Sequence, residues 1–215
     1  QEAKKYYENF INKGFIDHRV FSNYGMILLN LGEFKKAEIF TRKAIELNPN
    51  YAMAYSNLGG ILKHLDKLQE AEIFTRKAIE LNPHDAIAHS NLGGIFYDHG
   101  KLKEAELSQR KAIELKPNFA DAYYSMGNIL RDLGKLEEAE LSLRKAIELK
   151  PNFANANEAL GLVLLEKNEY DLSLIYFSES AKLLNDQTEQ KFNNQRFKII
   201  SKAKIEHDVE QFEYL

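Results

Sequence analysis

The chain contains no cysteine, which removes disulfide frameworks, thiolate metal sites and cysteine nucleophiles together. Four prolines and eleven glycines in 215 residues are too few for a fibrous or loop-dominated protein. No apolar run approaches the ~20 residues needed to cross a bilayer, so no membrane partner is expected. A secretory leader is not visible, and the first residue is Gln1 rather than Met. The missing cysteines fit a reducing compartment, and a cytoplasmic location is the expectation that follows. Charge of one sign is lacking as well. The net charge is −3 and the isoelectric point about 6.1, so no positive field awaits a phosphate backbone and nucleic acid is not an expected partner.

What is present is a period. Pro49, Pro83, Pro117 and Pro151 each stand 34 residues after the last. Gly25, Gly59, Gly93, Gly127 and Gly161 keep the same step, as do Ala37, Ala71, Ala105 and Ala139, and Ala44, Ala78, Ala112 and Ala146. The segment KAEIFTRKAIELNPN at 36–50 returns as EAEIFTRKAIELNPH at 70–84, EAELSQRKAIELKPN at 104–118 and EAELSLRKAIELKPN at 138–152.

Within each unit the apolar spacing is helical. Leu58, Ile61, Leu62 and Leu65 fall at i, i+3, i+4 and i+7, one buried stripe of a helix. Ala71, Phe74, Ala78 and Leu81 make a second stripe. Between the two helices stands Gly32, Asp66, Gly100, Gly134 or Asn168, residue types that tolerate the left-handed backbone ending a helix. Asn-Pro or Lys-Pro follows the second helix and stops it, because proline disfavours helical geometry in the residue before it. Each unit therefore reads as an antiparallel helical hairpin. A single hairpin cannot bury both faces, so the hairpins must stack.

This pattern resembles the tetratricopeptide repeat, whose signature is a large residue, Leu-Gly, a large residue, Ala, an aromatic, Ala and Pro. Tyr55, Leu58, Gly59, Leu62, Ala71, Thr75, Ala78 and Pro83 carry it in the second unit. Thr41, Thr75, Gln109 and Leu143 stand where the aromatic is usual, with Phe40 and Phe74 one place earlier as the expected compensation. The resemblance covers roughly residues 1–185 and implies an all-α solenoid, a right-handed superhelix of stacked hairpins. The units run 18–51, 52–85, 86–119, 120–153 and 154–187. The last is degenerate: Ser173 and Ser180 replace alanines and Asn185 replaces the proline. Residues 1–17 fall in register as the second helix of a truncated repeat, which predicts that the chain is a piece of a longer protein. Residues 188–215 leave the period and are expected to form a capping or linker helix.

The resemblance also implies that the first helix of each hairpin lines a concave groove. Its inward residues are then the second, fifth, sixth, ninth, twelfth and thirteenth of each unit. The sixth position reads Asn23, Asn57, Asn91 and Ser125. Such a row is similar to the asparagine ladder in the repeat domain of O-linked N-acetylglucosamine transferase. An amide offers both donor and acceptor and can pair with any peptide backbone. Gly60 and Gly94 at the ninth position cost roughly 1 kcal/mol each in mid-helix relative to alanine, and a bare helix there would admit a ligand backbone. Asn128, Lys63, Tyr97 and Arg131 complete the candidate groove. Some family members grip a terminal carboxylate with lysine at the fifth position. Here that position holds Ser22, Ser56, Ser90, Tyr124 and Glu158, so that clamp is absent. Groove charge is expected to run from Arg19, Lys63 and His64 toward Asp98, Asp121, Asp132, Glu158 and Glu166.

No catalytic constellation or cofactor motif accompanies the repeats. The histidines lack metal-type spacing, and His89 takes the slot of Tyr55 and Tyr123 as a core substitute. Glu38–Arg42, Glu72–Arg76, Glu106–Arg110 and Glu140–Arg144 are i,i+4 pairs that support their helices. The sequence thus predicts a non-enzymatic scaffold that binds a protein or peptide in its groove. The alternative is the substrate-recognition arm of a larger enzyme, of glycosyltransferase or hydroxylase type. Self-association through the truncated ends is a further expectation.

Overall fold

A computed structural model describes residues 2–14, 16–184 and 201. Among them the chain forms eleven α-helices and no strand, in two compact units, Gln1–Lys116 and Pro117–Leu215. The capping or linker helix expected at 188–215 lies, residue 201 apart, outside the described residues.

Unit 1 contains α1 (Glu2–Asn12), α2 (His18–Asn30), α3 (Phe34–Leu47), α4 (Ala52–His64), α5 (Leu68–Leu81), α6 (Ala86–Asp98) and α7 (Leu102–Leu115). The pairs α2/α3, α4/α5 and α6/α7 are hairpins, and successive hairpins pack through α3 on α4 and α5 on α6. Unit 2 repeats the arrangement with α8 (Ala120–Asp132), α9 (Leu136–Leu149), α10 (Ala154–Glu166) and α11 (Tyr170–Leu183).

Each hairpin turn follows from one residue. Gly32, Gly100 and Gly134 have φ between 73° and 75°, while Asp66 and Asn168 adopt 58° and 61°. The chain then closes back on the helix: Glu33 N–H donates to Leu28 O and Lys67 N–H to Leu62 O, both at 2.9 Å. These are the bonds that satisfy the orphan carbonyls of a helix end. At the far end Asn48 and Asn82 turn extended before their prolines, as the residue before proline must.

The 34-residue glycines mark where the two helices of a hairpin touch. A Cβ on Gly25 would lie 2.1 Å from Thr41 Oγ1, and one on Gly59 would lie 2.0 Å from Thr75 Oγ1. Gly93 meets Gln109, Gly127 meets Leu143, and Gly161 meets the ring of Phe177. The fifth hairpin therefore keeps the family's aromatic at this crossing, and Phe177 is 1% exposed. In the first two hairpins the ring has moved one residue back: Phe40 stacks on Phe21 and Phe74 on Tyr55, with centroids 6.1 Å apart in both. The threonines left under the glycines bury their hydroxyls without a partner, as does the side-chain oxygen of Gln109.

The core runs from hairpin to hairpin. Leu28 and Ala37 bury against Ile61, and Leu58, Leu62 and Ala71 bury against Ile95. Full burial of each large aliphatic contributes about 1.5–3 kcal/mol, and each is shared between two repeats. A second tie is electrostatic. Glu38 accepts from Arg42 in its own helix and from Lys67 in the next hairpin at 2.9 Å each. Glu140 does the same with Arg144 and Lys167, at 2.8 and 2.6 Å. The expected i,i+4 pairs are thus present, and a lysine of the following turn extends them between repeats, Lys67 to Glu38, Lys101 to Glu72 and Lys167 to Glu140.

At the start of unit 1, α1 lays Tyr7 and Ile11 against Tyr24 and Leu28. The Tyr24 hydroxyl donates to Glu8 at 2.9 Å. Burial, reinforced by that bond, pushes the phenol up to about 12.

Candidate peptide-binding face

The sixth residues of the first helices in unit 1 sit on one side of α2, α4 and α6. Asn23 is exposed and Asn57 and Asn91 are half-buried. Two of them already hold the stack together. Asn57 Nδ2 donates to Ser22 Oγ and Asn91 Nδ2 donates to Ser56 O, both at 3.0 Å. Each amide nitrogen carries two hydrogens, so one N–H and the carbonyl oxygen of each remain for a ligand. The bonds also fix the direction in which those groups point.

The glycines beside them are less bare than the sequence suggests. The space above Gly60 is bounded by the Asn91 amide, nearest atom 3.6 Å, and the space above Gly94 by the Lys63 side chain, nearest atom 3.3 Å. Lys63 continues past Gly94 to Asp98, with Nζ 3.3 Å from the carboxylate. Residues expected at opposite ends of a charge gradient are therefore one ion pair between neighbouring repeats. Tyr97 is half-buried on the same helix. Arg19 is occupied elsewhere: it pairs at 2.7 Å with Asp17, the N-cap of α2, whose carboxylate it holds well below the usual range. His64 stacks on Phe34 at 5.1 Å, and burial together with Lys63 lowers its pKa.

In unit 2, Ser125, Asn128 and Arg131 lie half-buried along α8. Arg131 bonds Asp132 at 3.1 Å and lies 3.7 Å from Glu166 of the next first helix. His89, read as a core substitute, is half-buried instead, and its Nε2 lies 3.0 Å from Pro83 O.

Two residues on this side were not singled out from sequence. Met53 and Ile87, at the second position of α4 and α6, are each 50% exposed. Their signal was available, since both occupy an inward position of the repeat. They give the polar row an apolar border, which suits a ligand carrying both backbone and hydrophobic side chains.

Comparison with known proteins agrees with this architecture. Tetratricopeptide repeat models match residues 18–51 and 40–73, and a TPR repeat model matches 93–130 and 127–168. No curated protein sequence matches the chain. Among solved structures, YrrB, described as a TPR protein with an unusual peptide-binding site, is 22% identical over 88% of this chain and 97% of its own, with a TM-score of 0.59. Pseudomonas aeruginosa pilF is 21% identical over 90% and 86%, with a TM-score of 0.73. TTC0263 of Thermus thermophilus is 18% identical over 85% and 98%, also at 0.73. At these identities the likeness establishes the fold. Repeat period, crossing glycines, hairpin packing and matched models agree: the chain belongs to the tetratricopeptide repeat family, a family of helical protein-interaction scaffolds.

Proposed function

We propose that unit 1 binds an extended peptide segment along the side of α2, α4 and α6 that carries Asn23, Asn57 and Asn91. The observation that carries this reading is the pair of inter-repeat bonds from Asn57 and Asn91. They hold two amides in a fixed orientation while leaving each an acceptor and a second donor. A peptide backbone presents the matching N–H and C=O groups whatever its side chains. Met53 and Ile87 then receive apolar side chains of the ligand, and the Lys63–Asp98 pair sets its polarity. In unit 2 Ser125, Asn128 and Arg131 offer the corresponding contacts on α8. The peptide-binding site named for YrrB lends support by family likeness.

The test is selection of random linear peptides on the immobilised full chain, followed by affinity measurement on variants. Asn23→Ala removes an amide that makes no side-chain bond among the described residues, so its stability should not change. Its peptide affinity should fall about three- to tenfold, the equivalent of one hydrogen bond. Met53→Ser with Ile87→Ser should narrow the selected sequences toward polar residues. Peptides that bind with unchanged affinity to all three substitutions would place recognition elsewhere on the molecule.

A further inference from the structure

The linker between the first two hairpins of unit 1 is tied back to the start of α2 through one side-chain amide. Asn48, the C-cap of α3, uses both ends of that amide. Its Oδ1 accepts the backbone N–H of Asn50 at 3.1 Å, and its Nδ2 lies 3.2 Å from Nε2 of His18. The place of His18 is held by Ala52, Ala86, Ala120 and Ala154 in the other four hairpins, so a histidine bridge of this kind belongs to the first hairpin alone.

The bridge fixes where the ring carries its proton. A backbone N–H can only donate, so Asn50 meets the oxygen of the Asn48 amide and His18 faces the nitrogen. Nε2 of His18 is therefore the acceptor, and the neutral ring has its proton on Nδ1. The other nitrogen agrees, since Nδ1 lies 3.9 Å from the Asp17 carboxylate. His89 is the opposite case. Its Nε2 faces Pro83 O at 3.0 Å, an oxygen that only accepts, so this nitrogen is protonated and its bond survives in the imidazolium.

The His18 ring also meets Tyr51 edge-on, with centroids 4.7 Å apart, and Tyr51 packs with Phe21, Ala44 and Ala54 across the two hairpins. One turn along α2, Ser22 takes the bond from Asn57 over the same junction. The charged and titratable groups beside the ring are Asp17 and Arg19 at the start of α2 and Tyr51 on the linker. Asp17 draws charge onto the imidazole and Arg19 opposes it. Asp17 stays ionised in mild acid, because Arg19 holds its carboxylate well below the usual range.

We propose that His18 is a proton-sensitive latch between the first two hairpins, closed only while its ring is neutral. Histidine ordinarily changes charge between about pH 5 and 8. A proton on Nε2 sets that nitrogen donor to donor against Asn48 Nδ2. Turning the amide over to accept from the ring takes its oxygen away from Asn50. In acid Asn48 therefore holds either α2 or the linker turn and no longer both. The bridge binds the neutral ring, so its contribution is complete above the histidine range and is lost as the pH falls through it. The latch holds whether or not the asparagine side binds a peptide.

Nuclear magnetic resonance of the ¹⁵N-labelled full chain reads the ring directly. At about pH 7.5, above the histidine range, His18 should carry its proton on Nδ1 and His89 on Nε2. Between roughly pH 7.5 and 5.5 the folding constant of the parent, from urea unfolding, should fall about fivefold relative to His18→Gln, the equivalent of one hydrogen bond. Glutamine places an oxygen where Nε2 stood and accepts from Asn48 throughout. The Asn48 side-chain amide and the Asn50 backbone amide should shift over that range in the parent and stay in place in His18→Gln. His89→Gln should keep the parent's response. A neutral His18 with its proton on Nε2, seen in the parent without any variant, overturns the proposal. So does a pH response that is the same in the parent and His18→Gln, or one that His89→Gln abolishes.

Discussion

Gly59 and Gly60 are adjacent in the middle of α4, yet substituting each with alanine should move stability in opposite directions. A mid-helix glycine costs about 1 kcal/mol relative to alanine, so both substitutions start from that gain. At Gly60 the new methyl would meet nothing nearer than 3.6 Å, an ordinary van der Waals contact, and the gain survives. At Gly59 it would lie 2.0 Å from Thr75 Oγ1, 3.2 Å from Thr75 Cβ and 3.4 Å from Ala71 O. Rotating Thr75 exchanges its hydroxyl for a methyl of similar size, and β-branched side chains are stiff in a helix. The two helices must therefore separate. Overpacking of that kind costs about 1–3 kcal/mol or more, so with an overlap this large Gly59→Ala should lose about 2 kcal/mol net. Gly60→Ala should gain up to about 1 kcal/mol. Urea unfolding followed by far-ultraviolet circular dichroism reads both, compared at a common slope. Thr75→Ala in the Gly59→Ala background should recover part of the loss, giving a favourable coupling in a double-mutant cycle. A Gly59→Ala chain as stable as the parent, or a Gly60→Ala chain clearly weaker, would refute the assignment of Gly59 to the helix crossing.

Two further predictions concern buried and ionised groups. Thr75→Val removes a buried hydroxyl that has no partner, and should raise the unfolding midpoint by the equivalent of about 1 kcal/mol. Gln109→Leu, which copies Leu143 of the next hairpin, removes an unpaired amide oxygen but also the bond that Nε2 donates to Ser90 O at 3.0 Å, so it should gain less than Thr75→Val. Glu140 is held below its ordinary value of 4.5, chiefly by the hydrogen bond from Lys167, which burial opposes and the hydrogen bond from Arg144 reinforces. Its contribution is therefore complete above pH about 4.5 and is lost as acid titrates it through the lower folded value. Glu140→Gln should destabilise at neutral pH by less than about 1 kcal/mol. The difference from the parent should vanish as the pH falls below that range.

Much of the hairpin architecture was legible because its causes are local. The 34-residue step, the prolines and the left-handed residues Asp66 and Asn168 each act within a few residues of themselves. The crossing glycines were legible too, since only a residue without Cβ allows the contact with Thr41 or Thr75. What sequence reading missed depends on which repeats touch. Asn57 reaches Ser22, and Asn91 reaches the backbone of Ser56, each 35 residues away, a relation that exists only once the stack has formed. The same holds for Lys63, whose stem runs over Gly94 toward Asp98. Phe177 is a different case. It sits in register with Thr75 and could have been found by carrying the aromatic position into the degenerate fifth hairpin. The exposure of Ile39 and Ile73 was legible as well, because both fall off the helical stripe that Ala71, Phe74, Ala78 and Leu81 mark in the second hairpin.

The central claim is that the asparagine side of unit 1 holds a peptide backbone. The direct measurement is the side-chain amide resonances of Asn23, Asn57 and Asn91 in an ¹⁵N-labelled chain titrated with a selected peptide. The account predicts that all three shift together with saturation, while the methyls of Ile39, Ile73 and Leu107 stay in place. Saturable binding that leaves the three amides unmoved would contradict it.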